Sequence, residues 1–558
     1  MSFEQLDLPL QGILPPTEPT RIPRTRRVFV NRNLKMAGID WVGFDMDYTL
    51  AIYNQVEMDN LSIRATVSKL VKRGYPQTIA EIPYQIDFPI RGLLIDKRFG
   101  HILKMDCFKM VQKAYHGLRE LTKDEIRALY QQKKIRPTTA RYHWIDTLYA
   151  LSEATLYAGI VTALEERGIA VDFVRLFSDI RECIDEAHRD GTILDLVESD
   201  LPRFVERDPV LAQTLHKLRS AGKRLFLLTN SRWPFTEKMM NYLLGGAMPE
   251  YPSFRHYFDV IIVAAQKPAF FQERRSLVVR ESASLAGLRA GSRDGAPQAP
   301  REVLSSVVAS SPPAGASSPP AAAPAAETRL ATFPLERGNI YEGGNLHDFE
   351  RALGVTGDRI LYVGDHIYGD ILRSKKESAW RTAMIIQEME AEVRAHESCR
   401  EEHLKSAELG ERREELEDQL RFYQQRFKDV SRRIDEEVTG KGMHLQITMG
   451  PPPPVAARNG ASGVSALEVE RSRIKRAVER IRGQLRAVDA ETAVLERAID
   501  RRFHPYWGSL LKESSETSSF GNQVEEYACI YTSRVSNLLA YSPLQYYRSP
   551  RDLLPHEL

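Results

Sequence analysis

Asp45 and Asp47 sit two residues apart at the end of the apolar run Val42-Gly43-Phe44, with a hydroxyl, Thr49, two positions further on. On an extended segment that spacing points both carboxylates to one face, so the pair can share a metal ion or divide nucleophilic and acid/base duties. Three more apolar runs end in groups suited to the same chemistry. Leu225-Phe226-Leu227-Leu228 leads into Thr229-Asn230-Ser231, whose hydroxyls, amide and freed backbone N–H groups donate to an anion at a helix entrance. Val260-Ile261-Ile262-Val263 is followed by Lys267, an ammonium able to neutralise a phosphate. Ile360-Leu361-Tyr362-Val363 ends in Gly364-Asp365, and Asp365 with Asp370 is placed to complete a cation site begun by Asp45 and Asp47. Each cluster alone has a plainer reading, as an acidic turn, a helix N-cap or a surface lysine. Their succession along four buried runs favours the chemistry.

Strands that carry charge at their C-terminal ends belong to an open α/β sheet, whose active sites lie along that edge. From Asn54 to about Val205 the chain runs too long for a loop and is expected to fold as an inserted cap domain above the strand ends. A hairpin-like piece, Gly92–Asp96 with Gly100–Met105, lies inside it. In the same interval Arg181, Asp185 and His188 fall at i, i+4 and i+7, one face of a helix that either meets a ligand or is solvated with an Arg–Asp pair.

Lys plus Arg at 77 against Asp plus Glu at 75 leave a net charge of +2, so no broad field draws nucleic acid or an anionic membrane. Four scattered Cys without C-x-x-C spacing fit a reducing cytoplasm better than a disulfide framework or a zinc site. No apolar run reaches the roughly 18 residues of a membrane span, and an unexported cytoplasmic protein is expected. The divisions expected are a disordered proline-rich arm at 1–25, core segments at 26–54, 206–272 and 331–390, the cap at 55–205, and a disordered Ser/Ala/Gly/Pro-rich insertion at 273–330. Residues 391–502 carry two heptad stripes, Leu409 to Ile434 and Ile474 to Ile499, separated by Gly450-Pro451-Pro452-Pro453-Pro454, the pattern of an α-helical coiled-coil hairpin. The aromatic-rich segment 503–558 is expected to pack on the core or on another subunit.

Asp45-x-Asp47-x-Thr49, Thr229-Asn230-Ser231, Lys267 and Gly364-Asp365 with Asp370 stand in the order of the four motifs of the haloacid dehalogenase superfamily, which the chain resembles. Phe44-Asp45-Met46-Asp47-Tyr48-Thr49-Leu50, Gln266-Lys267-Pro268 and Gly364-Asp365-His366-Ile367-Tyr368-Gly369-Asp370 are similar to its cytosolic purine 5'-nucleotidase group, as is Leu554-Pro555-His556-Glu557. The resemblance implies a Rossmann-like parallel sheet core with an inserted cap; the Ser/Ala/Pro-rich insertion and the coiled-coil hairpin depart from it. It further implies that Asp45 is the nucleophile and that Asp47 protonates the leaving 5'-oxygen. Mg²⁺ would sit on Asp45, Asp365 and the Asp47 carbonyl, with Asp370 acting through water or from one layer further out. Thr229, Asn230, Ser231 and Lys267 would bind phosphate. Arg181, Asp185 and His188 match the family's substrate helix, Tyr149 takes the place of its base-stacking aromatic, and Leu194 stands where the family has a Lys. The expected activity is Mg²⁺-dependent hydrolysis of nucleoside 5'-monophosphates, purine ones above all, by a homo-oligomer, dimer or tetramer. The alternatives are another phosphomonoesterase, a nucleoside phosphotransferase, or a non-catalytic interaction protein working through the hairpin.

Overall fold

The computed structural model describes residues 21–130, 135–281, 329–331, 334–443 and 460–550. Most of the proline-rich arm, the bulk of the Ser/Ala/Gly/Pro-rich insertion, the Gly450–Pro454 junction and Leu554–Glu557 lie outside these residues.

The four apolar runs become adjacent parallel strands. Trp41–Phe44 is flanked by Arg224–Leu228 on one side and Ile360–Gly364 on the other, with Val260–Val263 beyond Arg224–Leu228. All four are buried along nearly their whole length, which is why they read as continuous apolar runs rather than alternating ones. The parallel sheet continues outward through Ile340–Gly343 at one end and Arg381–Ile385 at the other. Ile530–Thr532, from the C-terminal segment, is the next parallel strand, and Phe29–Val30 closes that edge antiparallel. At the opposite edge Leu277–Glu281 and Arg329–Leu330 add antiparallel strands. These two lie within the stretch that composition assigned to the insertion. The fold class is thus α/β with a parallel, Rossmann-like sheet. Because the chain's neighbours depart to either side of Trp41–Phe44, that strand's C-terminal end is the topological switch point.

The core over the sheet is aromatic. Phe226 stacks on Tyr362 with ring centres 6.2 Å apart and meets Phe349 edge-on at 4.9 Å, with Trp380 alongside. Gly43 is what admits the Phe226 ring, for a Cβ there would lie 2.0 Å from the ring's outermost carbon.

Between the first two core strands the chain builds its inserted module. Helices Gln55–Lys72, Leu151–Glu166 and Phe173–Arg189 accompany a five-stranded antiparallel sheet of Leu93–Asp96, His101–Met105, Val111–His116, Arg119–Glu120 and Tyr142–Ile145. Leu94, Leu103, Met105, Ala114 and Ile126 form a core beneath it. The module leaves and rejoins the main sheet through a two-stranded neck, Ile52–Tyr53 paired antiparallel with Val205–Glu206.

Residues 394–509 form a separate unit. Within it helices Arg400–Met443 and Gly460–Phe503 pack through Val430, Ile434, Leu467, Ile474 and Val478. Ion pairs Arg413–Asp489 and Arg426–Glu470 set them antiparallel.

Substituting Gly43→Ala should lower stability by about 1–3 kcal/mol through overpacking, read as a fall in the urea midpoint at constant slope. Phe226→Leu in the same chain should return part of that loss. If the two substitutions simply added, the ring contact would not be what holds position 43 to glycine.

Candidate active site

Asp45 follows Phe44 directly, and its backbone N–H donates to the Val363 carbonyl (2.9 Å) on the neighbouring strand. Asp365 follows Gly364 at the end of that same neighbour, so parallel register brings the two carboxylates side by side. Asp370 returns to them on the turn Ile367–Leu372. Gly364 permits the approach, since a Cβ there would lie 2.6–2.8 Å from the Asp370 side chain. Carboxylate oxygens of Asp45, Asp365 and Asp370 lie within 4.8 Å of one another, all three residues buried.

Lys267 enters from the end of Val260–Val263, its ammonium 2.8 Å from Asp45 Oδ1 and 2.6 Å from Asp370 Oδ1. It also donates to the Tyr362 hydroxyl (2.8 Å), which in turn donates to the Leu228 carbonyl (3.1 Å). Burial pulls the Lys267 pKa down, but Asp370 and Asp45 outweigh it and keep the group an ammonium. Burial, opposed by Lys267 and reinforced by Asp370, Asp365 and Asp47, drives the Asp45 pKa well above the usual carboxylate range. Burial and then Asp370 push Asp365 up to about 7. Such crowding of anionic oxygens, with no nitrogen or sulfur donor among the three residues, suits a hard divalent cation.

Two further cationic and anionic groups were not legible in the sequence. Arg91 has no exposed side-chain surface; it donates through Nε and Nη2 to the two Glu388 oxygens (2.8 and 2.7 Å) and through Nη1 to the Asp365 carbonyl (3.0 Å). Its guanidinium lies 5.2 Å from the centre of the Phe520 ring. Nothing in Pro89-Ile90-Arg91-Gly92 marks it, because its partner Glu388 is distant in sequence.

The Asp47 carboxylate does not join the three acids. Immediately after Asp45 the chain curls, with the N–H groups of Leu50 and Ala51 both donating to Met46 O at 2.9 Å, and the same-face rule for extended residues no longer applies. Asp47 instead accepts from Ser231 Oγ at Oδ2 and from the Tyr53 hydroxyl at Oδ1, both 2.6 Å. Burial raises its pKa against the pull of those two hydrogen bonds, of the Lys267 charge and of a hydrogen bond from Tyr149.

The side chains of the triplet expected to bind an anion also make scaffold contacts. Thr229 Oγ1 accepts from the Ser231 N–H (3.1 Å), and Asn230 grips the Lys267 backbone on both sides, Nδ2 to its carbonyl (3.0 Å) and its N–H to Oδ1 (2.6 Å). Asn230 therefore helps to position the ammonium.

In the inserted module Arg181 is ion-paired with the buried Glu153 and lies 3.7 Å from Asp185. Tyr149 and His188 meet edge-on with ring centres 6.0 Å apart, and Tyr149 also packs against Tyr48 at 4.6 Å and Tyr53 at 6.0 Å. Burial lowers the His188 pKa. The structure thus joins Tyr149 and His188 to the aromatic wall beside Asp47, and turns Arg181 toward Glu153, which spacing did not single out.

The model of the 5' nucleotidase family matches residues 28–558. The chain belongs to that family. It is therefore a phosphoric monoester hydrolase of the nucleotidase/phosphatase kind. It is similar to a 5'-nucleotidase domain-containing protein of Dictyostelium discoideum, 27% identical over 95% of this chain and 74% of that protein. It is also similar to 5'-nucleotidase domain-containing protein 2 of Rattus norvegicus (30% identical) and of Homo sapiens (29%), over 69% of this chain and 63% and 67% of theirs. Among solved structures, a match to the HAD-hydrolase YfnB of Bacillus subtilis bound to magnesium has 14% identity, covers 62% of this chain and 88% of that one, and has a TM-score of 0.19. No helix among the described residues is long and apolar enough to cross a membrane.

With a pKa of about 7 when folded and an ordinary value of 3.8 when unfolded, Asp365 keeps its proton longer in the folded protein. Metal-free protein should consequently lose stability as pH rises from about 4 to 7. Thermal melts in EDTA should show this slope, and Asp365→Asn should flatten it. An unchanged slope in the variant would assign the effect to other groups.

Proposed function

We propose that the protein hydrolyses nucleoside 5'-monophosphates, purine nucleotides foremost, in a Mg²⁺-dependent reaction through an aspartyl-phosphate on Asp45. The observation that carries this reading is the convergence of Asp45, Asp365 and Asp370 within 4.8 Å in a chain of the 5' nucleotidase family. A phosphate monoester resists anionic attack, so its cleavage needs positive charge on the phosphoryl oxygens, a fixed nucleophile and an acid for the leaving group. Mg²⁺ would be held by Asp45, Asp365 and the Asp47 carbonyl, with Asp370 one layer out, and when bound it supplies part of that charge.

The chain's own residues provide the rest. Asp45 Oδ1 accepts from both Lys267 Nζ and the Met46 N–H, each at 2.8 Å, which stops the carboxylate rotating and leaves Oδ2 as the attacking atom. As Oδ2 bonds to phosphorus, the P–O5' bond breaks and its electron pair goes to the leaving oxygen, which takes the Asp47 proton. Water then attacks the phosphorus, returns a proton to Asp47, and releases Asp45 as a carboxylate. Lys267 neutralises charge on the phosphoryl oxygens throughout. The inserted module acts as a cap in this reading: Tyr149, partly exposed beside His188, offers its ring to the base, and Arg181 and Asp185 face the sugar side.

A panel of IMP, GMP, AMP, UMP and sugar phosphates, with Mg²⁺ or EDTA and with or without added nucleoside, tests the substrate. Release of phosphate from purine monophosphates only with Mg²⁺ is expected. A preference for sugar phosphates, or transfer to the added nucleoside, would replace nucleotide hydrolysis as the activity. Asp45→Asn should abolish turnover, whereas Asp47→Asn should slow it by about 10²-fold or more. Beryllofluoride should inhibit only while Asp45 is intact, and equal inhibition of the Asn variant would rule out the covalent route.

A further inference from the structure

Tyr53 belongs to none of the four motifs, yet its hydroxyl lies 2.6 Å from Asp47 Oδ1 while Ser231 Oγ lies 2.6 Å from Oδ2. The two donors come from different parts of the fold. Ser231 stands at the end of a core strand, and Tyr53 stands on the neck, its backbone paired with Val205. The Tyr53 ring is 4% exposed and packs against the paired rings of Tyr48, at 4.9 Å, and Tyr149, at 6.0 Å.

An aspartate carboxyl turns easily about its terminal torsion, which has no sharp staggered wells. One donor can act as a pivot, but two donors on opposite oxygens fix the plane of the group. Each carboxyl oxygen has two lone-pair directions, so Ser231, Tyr53 and the hydrogen bond from Tyr149 still leave a site open for the transferable proton. We propose that Tyr53 is a positioning residue for leaving-group protonation, its hydroxyl fixing Asp47 so that the acid's proton meets the departing oxygen. The inference rests on the reading of Asp47 as the general acid. It explains why a tyrosine oxygen is buried against a carboxylate at the neck, where a phenylalanine would fill the same apolar space. It also gives Ser231 a part in acid placement rather than in direct anion binding.

The test compares wild type, Tyr53→Phe, Asp47→Asn and the double variant on a nucleoside monophosphate and on p-nitrophenyl phosphate, whose leaving group departs without needing a proton. Tyr53→Phe retains the ring and its contacts and removes only the oxygen. Its kcat/KM should fall about 10-fold or more on the nucleotide and change little on the aryl ester. Asp47→Asn should show the same selectivity more strongly, and adding Tyr53→Phe to it should cost nothing further, because a positioning residue has no effect once its client is gone. Equal losses on both esters, or additive losses in the double variant, would overturn the assignment of Tyr53 while leaving Asp47 as the acid. If Asp47→Asn itself slowed both esters equally, the acid reading would fail and take this inference with it. Circular dichroism and melting temperatures of the variants separate either result from misfolding.

Discussion

Three buried carboxylates held against one ammonium form the constraint on which the other parts of the site depend. Asp45, Asp365 and Asp370 repel one another in a region where water screens little, and a buried charge without a partner costs several kcal/mol. Lys267 answers two of them directly, at 2.8 and 2.6 Å, and Arg91 answers Asp365 from behind through its carbonyl. Lys267 cannot be left loose in this arrangement. Asn230 clamps its backbone at both ends and Tyr362 accepts from its ammonium. The geometry of one strand end is thus set by side chains from three other strand ends. The remaining negative charge is what makes the pocket receptive to a cation.

The same local sequence produces two acids in different surroundings because the chain curls between them. Had Phe44-Asp45-Met46-Asp47 stayed extended, both carboxylates would have shared the crowded pocket. Hydrogen bonds from Leu50 and Ala51 to the Met46 carbonyl turn the segment, and Asp47 enters a cage of neutral hydroxyl donors instead. Lys267 opposes the burial that raises Asp45, and a bound cation would oppose it further, whereas a buried carboxyl among hydroxyls suits a proton carrier.

The strand ends were legible from the sequence because double-sided burial leaves uninterrupted apolar runs, and charge at the end of such a run has few structural explanations. The fold class followed from the order of those runs. What stayed hidden depends on distance along the chain. Arg91 gains meaning only from Glu388, Tyr53 only from the curl that presents Asp47, and Glu153 only from the helix carrying Arg181. Leu277–Glu281 was concealed for another reason, since it abuts a stretch whose Ser, Ala and Pro content dominates any short window. Ile530–Thr532 is three residues long, too short for a period to register. Asn230's grip on the Lys267 backbone was equally hidden, because an N-cap-like position says which groups are available, not what else in the fold will engage them.

The neck ties recognition to chemistry through a short lever. The insertion departs at Ile52–Tyr53, just after the loop of Asp45, and returns at Val205–Glu206, from which helix Leu211–Ser220 leads to the strand ending in Thr229 to Ser231. Any ligand that draws the inserted helices and Tyr149 toward the sheet acts on a segment whose next residue but five is the Asp47 acid. A hydrogen bond of 2.6 Å has almost no slack, and its strength falls steeply once the atoms separate beyond normal contact. A rotation at the neck that moved the Tyr53 hydroxyl by 1 Å would therefore release one carboxyl oxygen of Asp47 while Ser231 kept the other. If Asp47 is the acid, a substrate that seats the module would thereby set it, and discrimination among substrates would be expressed in the rate of bond breaking as well as in binding.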